Sequence, residues 1–373
     1  MRLTDRIREA VTAVAVAGGV LASGVLAAPA APNWGLRVVF FSVGQADAIV
    51  AVAPDGDAAV IDAARGAAGA DSIAAFLADS SRNGVGTLTK VKMGFVTHYD
   101  LDHMGGFRVL PERGIRFRSV YDQGPSLKRR GSARYSEYVA AVGDPNDNDH
   151  QDPGEDSFVR KRARLGEHWK LGDATVRVVS VRGNTKGTDR DLDLEPSDQK
   201  IDENPGSIAL FITLGDFELY TAGDQTSDDW KPEPDTEIGV VRSGVLGERS
   251  RVDVLKANHH GSDTSNGHDF LQALRPTVAV VSSTYTKGDK LPKRVAIQQL
   301  VEAGALVYIT GNGHNPEGRF EDAATTVDDD FKPPEGSVVN EAGTVEIIVN
   351  RNGQSFRVST AGMERVFSAV DQS

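Results

Sequence analysis

Apolar residues early in the chain come in short runs separated by turn formers. Leu36–Phe41, Ala48–Val52 and Ala58–Asp62 each have the length and composition of a strand, and Pro54-Asp55-Gly56-Asp57 is a turn between the last two. The period then changes. Ile73, Phe76 and Leu77 recur at helical spacing and predict a helix over 71–80. Val91–Thr97 is a continuous apolar run of the buried-strand type that stops at His98, and Gly105-Gly106-Phe107 reads as the opening of the next helix. No period is clear over 115–170, and 183–205 is polar and acidic, so both are expected as loop insertions. Strands are predicted again over 174–181, 207–214, 217–222, 252–257, 278–281 and 306–309, with helices over 269–274 and 294–303. Gly343–Val349 and Ser355–Ser359 around Arg351-Asn352-Gly353 predict a hairpin in the tail.

Composition narrows the class. The chain has 373 residues, enough for one large or two ordinary domains, and its 39 glycines suit a turn-rich α/β protein. A net charge of −12 argues against an extended clamp on duplex nucleic acid, which needs a basic surface. Lys128-Arg129-Arg130 and Arg160-Lys161-Arg162 read as solvated basic faces, and the acidic stretch Asp144 to Asp152 reads as a solvated loop whose spacing does not fit an EF-hand. There is no cysteine, so disulfides and thiolate ligands are excluded. A metal site must then use His and carboxylates, which suit zinc and also manganese or iron.

Arg2, Arg6 and Arg8 precede an apolar stretch, Val11–Ala27, and the small residues of 27–32. That order is the pattern of a secretory signal peptide over 1–31. The expectation is a secreted or periplasmic protein with no integral membrane span in its mature form.

Chemistry concentrates at one place. His98, Asp100, Asp102 and His103 put four metal-ligand side chains in six residues, after an apolar strand and before paired glycines. Buried carboxylates are costly without a compensating cation, so a structural role explains this density poorly. Thr221-Ala222-Gly223-Asp224 and Asn258-His259-His260-Gly261-Ser262 each follow a further apolar strand.

These residues resemble a known family. His98-x-Asp100-x-Asp102-His103-x-Gly-Gly looks like the HxHxDH motif of the metallo-β-lactamase superfamily, with Asp at the second His position. Phe41–Ile49 is similar to the "DVGQGDA" turn that opens the metallo-hydrolase domain of ComEC-type competence proteins. "TAGD" at 221–224, "NHHGSDTS" at 258–265 and Asn204–Ser207 resemble further motifs of that subfamily, in order, from about residue 36 to residue 312.

The resemblance implies a four-layer αβ/βα sandwich over 34–315, with 316–373 as a C-terminal extension carrying the hairpin. It implies two divalent metal ions, zinc first and manganese or iron as alternatives. His98 and Asp100 would hold one, Asp102 and His103 the other. Asp224 would bridge them, and His259 or His260 would complete the set. Asp47 and Asp62 would orient the motif loop from behind. Ser262, Thr264 and Asn204 would contact substrate, Asn204 standing where other members place a third His. Ser262 and Thr264 have an alternative role as caps of the following helix. Leu291-Pro292 stands where competence-type domains carry His-Pro, with Lys287, Asp289 and Lys290 as nearby replacements and His314 as a more distant one.

The resemblance further implies hydrolysis of a small or single-stranded phosphodiester or phosphoester through a metal-activated water, with Asp102 and Asp224 catalytic. Two alternatives stand beside it: a lactone or β-lactam hydrolase, and a non-catalytic binding protein that keeps the fold.

Overall fold

The computed structural model describes residues 32–126, 129, 131–143, 159–185, 203–227, 236–244, 251–322 and 331–369. The expected signal peptide, the acidic stretch Asp144 to Asp152 and most of 183–205 lie outside the described residues.

The chain builds one sheet, then a second, then returns to the first. β1 (Trp34–Phe40), β2 (Ala48–Val52), β3 (Ala58–Ala63), β4 (Lys90–Phe95), β5 (Arg116–Asp122) and β6 (Val159–Arg162) open the first sheet. β7 (His168–Leu171), β8 (Ala174–Ser180), β9 (Ala209–Leu214), β10 (Phe217–Thr221), β11 (Val254–Lys256), β12 (Val278–Val281), β13 (Leu306–Ile309) and β14 (Val338–Val339) form the second. β15 (Val345–Asn350), β16 (Ser355–Thr360) and β17 (Met363–Ser368) complete the first, in the order β17-β16-β15-β1-β2-β3-β4-β5-β6. β3 to β6 run parallel, as do β10 to β14, and the remaining pairs are antiparallel.

Alternation along the strands explains the layers. In β1, Leu36, Val38 and Phe40 face the second sheet, where they meet Leu210, Ile212 and Val280 in one buried core. Trp34 and Val39 point the other way, onto α1 (Ala67–Ala78) and its neighbours. In β12, Val278 and Val280 point inward while Ala279 and Val281 pack against α6 (His268–Leu274) and α7 (Arg294–Glu302). Both sheets are therefore buried on two faces, which is the four-layer αβ/βα sandwich.

The tail belongs to this sandwich. β15 pairs with β1 in antiparallel register, Val38 opposite Ile347, so residues 345–368 extend the first sheet. Val345, Ile347 and Val349 are fully buried between the sheets, each contributing about 1.5–3 kcal/mol of apolar burial. The segment 115–170, expected as a loop insertion, contains β5, α4 (Ala133–Val142), β6 and β7 among its described residues. The pattern was masked because Arg160 of β6 is buried by pairing with Asp122 of β5, which puts charged residues where a strand usually shows apolar ones. The helix expected to open at Gly105 begins earlier, at Leu101. Residues 101–104 form a short helix and Gly105–Arg108 a 3-10 turn, so Asp102 and His103 ride on helix.

Candidate metal centre

One edge of the sandwich carries the site. Parallel strands bring their C-terminal ends to a common edge, and the loops there are free to hold polar groups. β3 carries Asp62 next to its last residue, β4 leads into Thr97 and His98, β10 into Gly223 and Asp224, and β11 into His259 and His260. β2 runs antiparallel to β3, so Asp47 before its first residue reaches the same edge. Two glycines allow the close approach. A Cβ on Gly223, whose φ is 54°, would stand 2.3 Å from Thr97 Oγ1, and one on Gly106 would stand 2.0 Å from the Ala63 carbonyl oxygen.

The histidines are oriented from behind. Asp62 accepts hydrogen bonds from Thr97 N at 2.8 Å and Thr97 Oγ1 at 2.7 Å, and its other contact is His103 Nδ1 at 2.9 Å. That leaves His103 Nε2 facing Asp224 Oδ1 at 3.3 Å. His98 Nδ1 lies 3.3 Å from both Thr97 Oγ1 and Ser207 Oγ. His260 Nδ1 donates to the Ser282 carbonyl oxygen at 2.9 Å. Nε2 of His260 is then 3.6 Å from Asp224 and 3.8 Å from Asp102.

Among the described residues four three-residue groups have ligand atoms within 4.8 Å of one another, and two of them take in the open side of the cluster: His98, His103 and Asp224, and Asp102, His103 and His260. Buried polar atoms almost always have partners, yet Nε2 of His98, His103 and His260 and Oδ1 of Asp224 have no hydrogen-bond partner. Imidazole and carboxylate donors left open at one point suit a divalent cation, and the residues present fit one.

Electrostatics agree. Burial disfavours a charged His103 ring, but the Asp224 and Asp62 carboxylates outweigh it and hold its pKa well above the usual value. Burial and His103 oppose protonation of His98, and Asp100 and Asp224 still raise its pKa. Burial would raise the Asp224 pKa, but His103, His260 and His259 drive it well below the usual carboxylate range. A carboxylate field that draws protons onto imidazoles draws a divalent ion equally.

The expected residues do not all converge. Asp100 is absent from the three-residue groups. Its carboxylate lies 3.5 Å from His98 Nε2 but is held by the Arg129 guanidinium, which also pairs with Glu203 at 3.0 Å. Asp100 is accordingly held below the ordinary carboxylate range: burial alone would raise it, and His98 and Arg129 overcome that. Of the histidine pair, His260 is buried among the donors. His259 is outside the three-residue groups although its Nε2 lies 3.8 Å from Asp224; Nδ1 is on Thr264 Oγ1 at 3.1 Å and Nε2 on Asn204 Nδ2 at 3.3 Å. Ser262 bonds Thr264 at 3.1 Å and so braces His259. Neither residue caps α6, whose cap position is Gly267. His314 packs on Phe320 and lies 3.4 Å from Asn340 Nδ2, outside the donor groups. Lys290 pairs with Glu321 and Asp289 bonds Thr286, while Pro292 packs beneath Gly261.

Sequence reasoning missed Glu237 in α5 (Thr236–Arg242), a helix it did not anticipate. The carboxylate is fully buried and accepts from Asn258 Nδ2 and Asn266 N at 2.7 Å and from Gly267 N at 2.8 Å. It clamps a loop in which His259, His260 and Asn266 all have positive φ, a conformation side chains resist. Glu237→Ala is expected to destabilise the protein by about 3 kcal/mol or more, since hydrogen bonds to a charged acceptor contribute about 1.5–3 kcal/mol each. Denaturant unfolding measures it, and a loss under about 0.5 kcal/mol would show that the loop holds itself.

No protein-family model matches the chain. Among curated proteins it is 36% identical over 132 residues to "Competence protein ComA" of Neisseria gonorrhoeae, covering 32% of this chain and 18% of that protein. It is 22% identical over 232 residues to "ComE operon protein 3" of Bacillus subtilis (strain 168), covering 62% of this chain and 25% of that one. The match thus takes in a quarter or less of the length of these relatives. Among solved structures, the metallo-β-lactamase fold protein YhfI from Bacillus subtilis matches with a TM-score of 0.42 at 10% identity, over 74% of this chain and 96% of that one. A Cronobacter sakazakii metallo-β-lactamase with the HARLDQ motif matches with a TM-score of 0.33 at 18% identity, over 58% and 76%.

The protein is a two-sheet αβ/βα sandwich. At its sheet edge it carries a His/Asp cluster compatible with divalent metal ions. Among the described residues no helix is long and apolar enough to cross a membrane.

Proposed function

We propose that the protein is an exported metal-dependent hydrolase of phosphodiesters or phosphoesters, acting on a small or single-stranded substrate. The observation that carries the reading is the convergence of four open donors, on His98, His103, Asp224 and His260, beside the carboxylate of Asp102. Divalent ions held there, zinc first, would supply Lewis acidity to activate water and polarise the scissile ester. Asp102 is placed to accept a proton on the open side, its side chain 15% exposed and its backbone fixed through the Asp47 N–H at 3.1 Å. Arg65, 66% exposed, holds its guanidinium 3.6 Å from Asp102 and supports an anionic substrate at the mouth. His259, Thr264 and Asn204 line the adjacent wall as a bonded set. The similarity to competence proteins supports a phosphodiester over a lactam.

The test pairs elemental analysis of the purified protein with hydrolysis of bis-p-nitrophenyl phosphate. About two metal ions per chain and turnover abolished by EDTA are expected. Metal with turnover of lactones or β-lactams only would overturn the phosphoester reading. Export rests on the N-terminal basic, apolar and small-residue order. Intact mass of the protein expressed in a bacterium is expected to place the mature start close after Ala28 or Ala31, and retention of Met1 would refute cleavage there.

A further inference from the structure

Beneath the donor cluster lies a cation that none of these roles uses. Lys256, the last residue of β11, is fully buried. Its Nζ contacts the Asp47 carboxylate, donates to the Gly223 carbonyl oxygen at 2.9 Å and lies 4.0 Å from Asp224 Oδ1. Asp47 is itself fully buried, 3.7 Å from His103 Nδ1 and 3.8 Å from His260 Nδ1. Both ring nitrogens already have closer partners, Asp62 and the Ser282 carbonyl.

Asp47, Asp224 and His260 form a further group with ligand atoms within 4.8 Å of one another. The ammonium already sits against two of its three members. A buried carboxylate keeps its charge only when paired, and an ammonium beside a bridging carboxylate opposes any divalent ion bound on the other side.

We propose that Lys256 is a permanent internal counter-ion: it fills the cation position of the Asp47–Asp224–His260 group, keeps Asp47 off the metals, and weakens metal binding through Asp224. This rests on the metal-centre reading and not on the choice of phosphoester substrate. Lys256 is then a positioning residue with two effects of opposite sign. It stabilises the metal-free fold, and it lowers affinity for the ion. A lysine with a merely structural role would support both.

The experiment uses the full chain, Zn²⁺ as the only probe, thermal unfolding in chelator, and Zn²⁺ affinity by chelator competition. K256M is expected to melt about 10 °C lower without metal, as a broken buried pair does, and yet to bind Zn²⁺ at least about tenfold tighter. D47N leaves the ammonium unbalanced and is expected to bind Zn²⁺ at least about tenfold weaker. D47N/K256M, with both charges gone, should return to within about threefold of wild type. Loss of affinity alongside stability in K256M would overturn the proposal, as would equal Zn²⁺ affinity in D47N and D47N/K256M. If K256M does not fold, that last comparison decides alone. Wild-type protein that binds no Zn²⁺ overturns the metal reading and this proposal together. Zn²⁺ binding without phosphoester turnover removes only the substrate assignment.

Discussion

His103→Ala is expected to remove metal from the protein and to lower hydrolysis by about 10³-fold or more, the scale of the charge stabilisation a catalytic ion provides. His103 belongs to both donor groups through which the ions would be held. Its Nε2 faces Asp224 at 3.3 Å, and the other side of the ring is fixed by Asp62 at 2.9 Å. Removing the ring takes a ligand from each position and leaves two buried carboxylates facing a gap, so a second ligand cannot compensate by a small shift. Elemental analysis of the variant measures the first effect and steady-state kinetics the second. Metal stoichiometry equal to wild type would refute the assignment of His103, whatever happened to activity.

The second large effect is expected from Asp224→Asn. The substitution keeps shape and removes charge. Asp224 is the residue on which three imidazoles converge, with His103 at 3.3 Å, His260 at 3.6 Å and His259 at 3.8 Å. An amide binds a divalent ion far more weakly than a carboxylate. Metal content should fall from about two ions toward one, and turnover by about 10²-fold or more. Wild-type turnover would remove the bridging role. The metal-free fold should respond as well, with a predictable sign. Asp224 has a depressed pKa, so its contribution is present above the unfolded carboxylate value and is lost as pH falls through the folded one. His103 has a raised pKa, so its contribution is present below the unfolded imidazole value and is lost as pH rises through the folded one. Metal-free wild type should therefore be best stabilised by this pair at mildly acidic pH, and the variant's stability should vary less there. Unfolding in chelator across pH measures the difference.

Much of this site was legible because its chemistry lies where apolar runs stop. A buried strand shows as a continuous run, its C-terminal end is where a parallel sheet exposes polar groups, and His98, Asp224 and His260 each follow such a run within a few residues. The local spacing of Asp102 and His103 likewise survives in the fold, as neighbours on a short helix. Asp47 and Asp62 are both buried, and Asp62 holds His103 Nδ1 at 2.9 Å.

Other features depend on contacts between residues far apart in the chain. His259 and His260 are adjacent and chemically identical. Their different surroundings are set by the Ser282 carbonyl 22 residues on, which turns His260 inward, and by Asn204 and Thr264, which take both ring nitrogens of His259. Asp100 looks like a ligand in the motif, but Arg129, 29 residues away, takes its carboxylate. Glu237 and Lys256 carry no local signal at all, since a charged residue in a helix or at a strand end normally reads as solvent-exposed. Each is buried because partners from other elements satisfy it, Asn258, Asn266 and Gly267 for one and Asp47 and Gly223 for the other. Sequence by itself determined which strand ends would carry the His and Asp side chains, because burial and strand direction are written in local pattern. Tertiary structure alone decided which of these side chains face one another and which buried charges balance them, because that depends on where distant side chains complete each other's hydrogen bonds and charge.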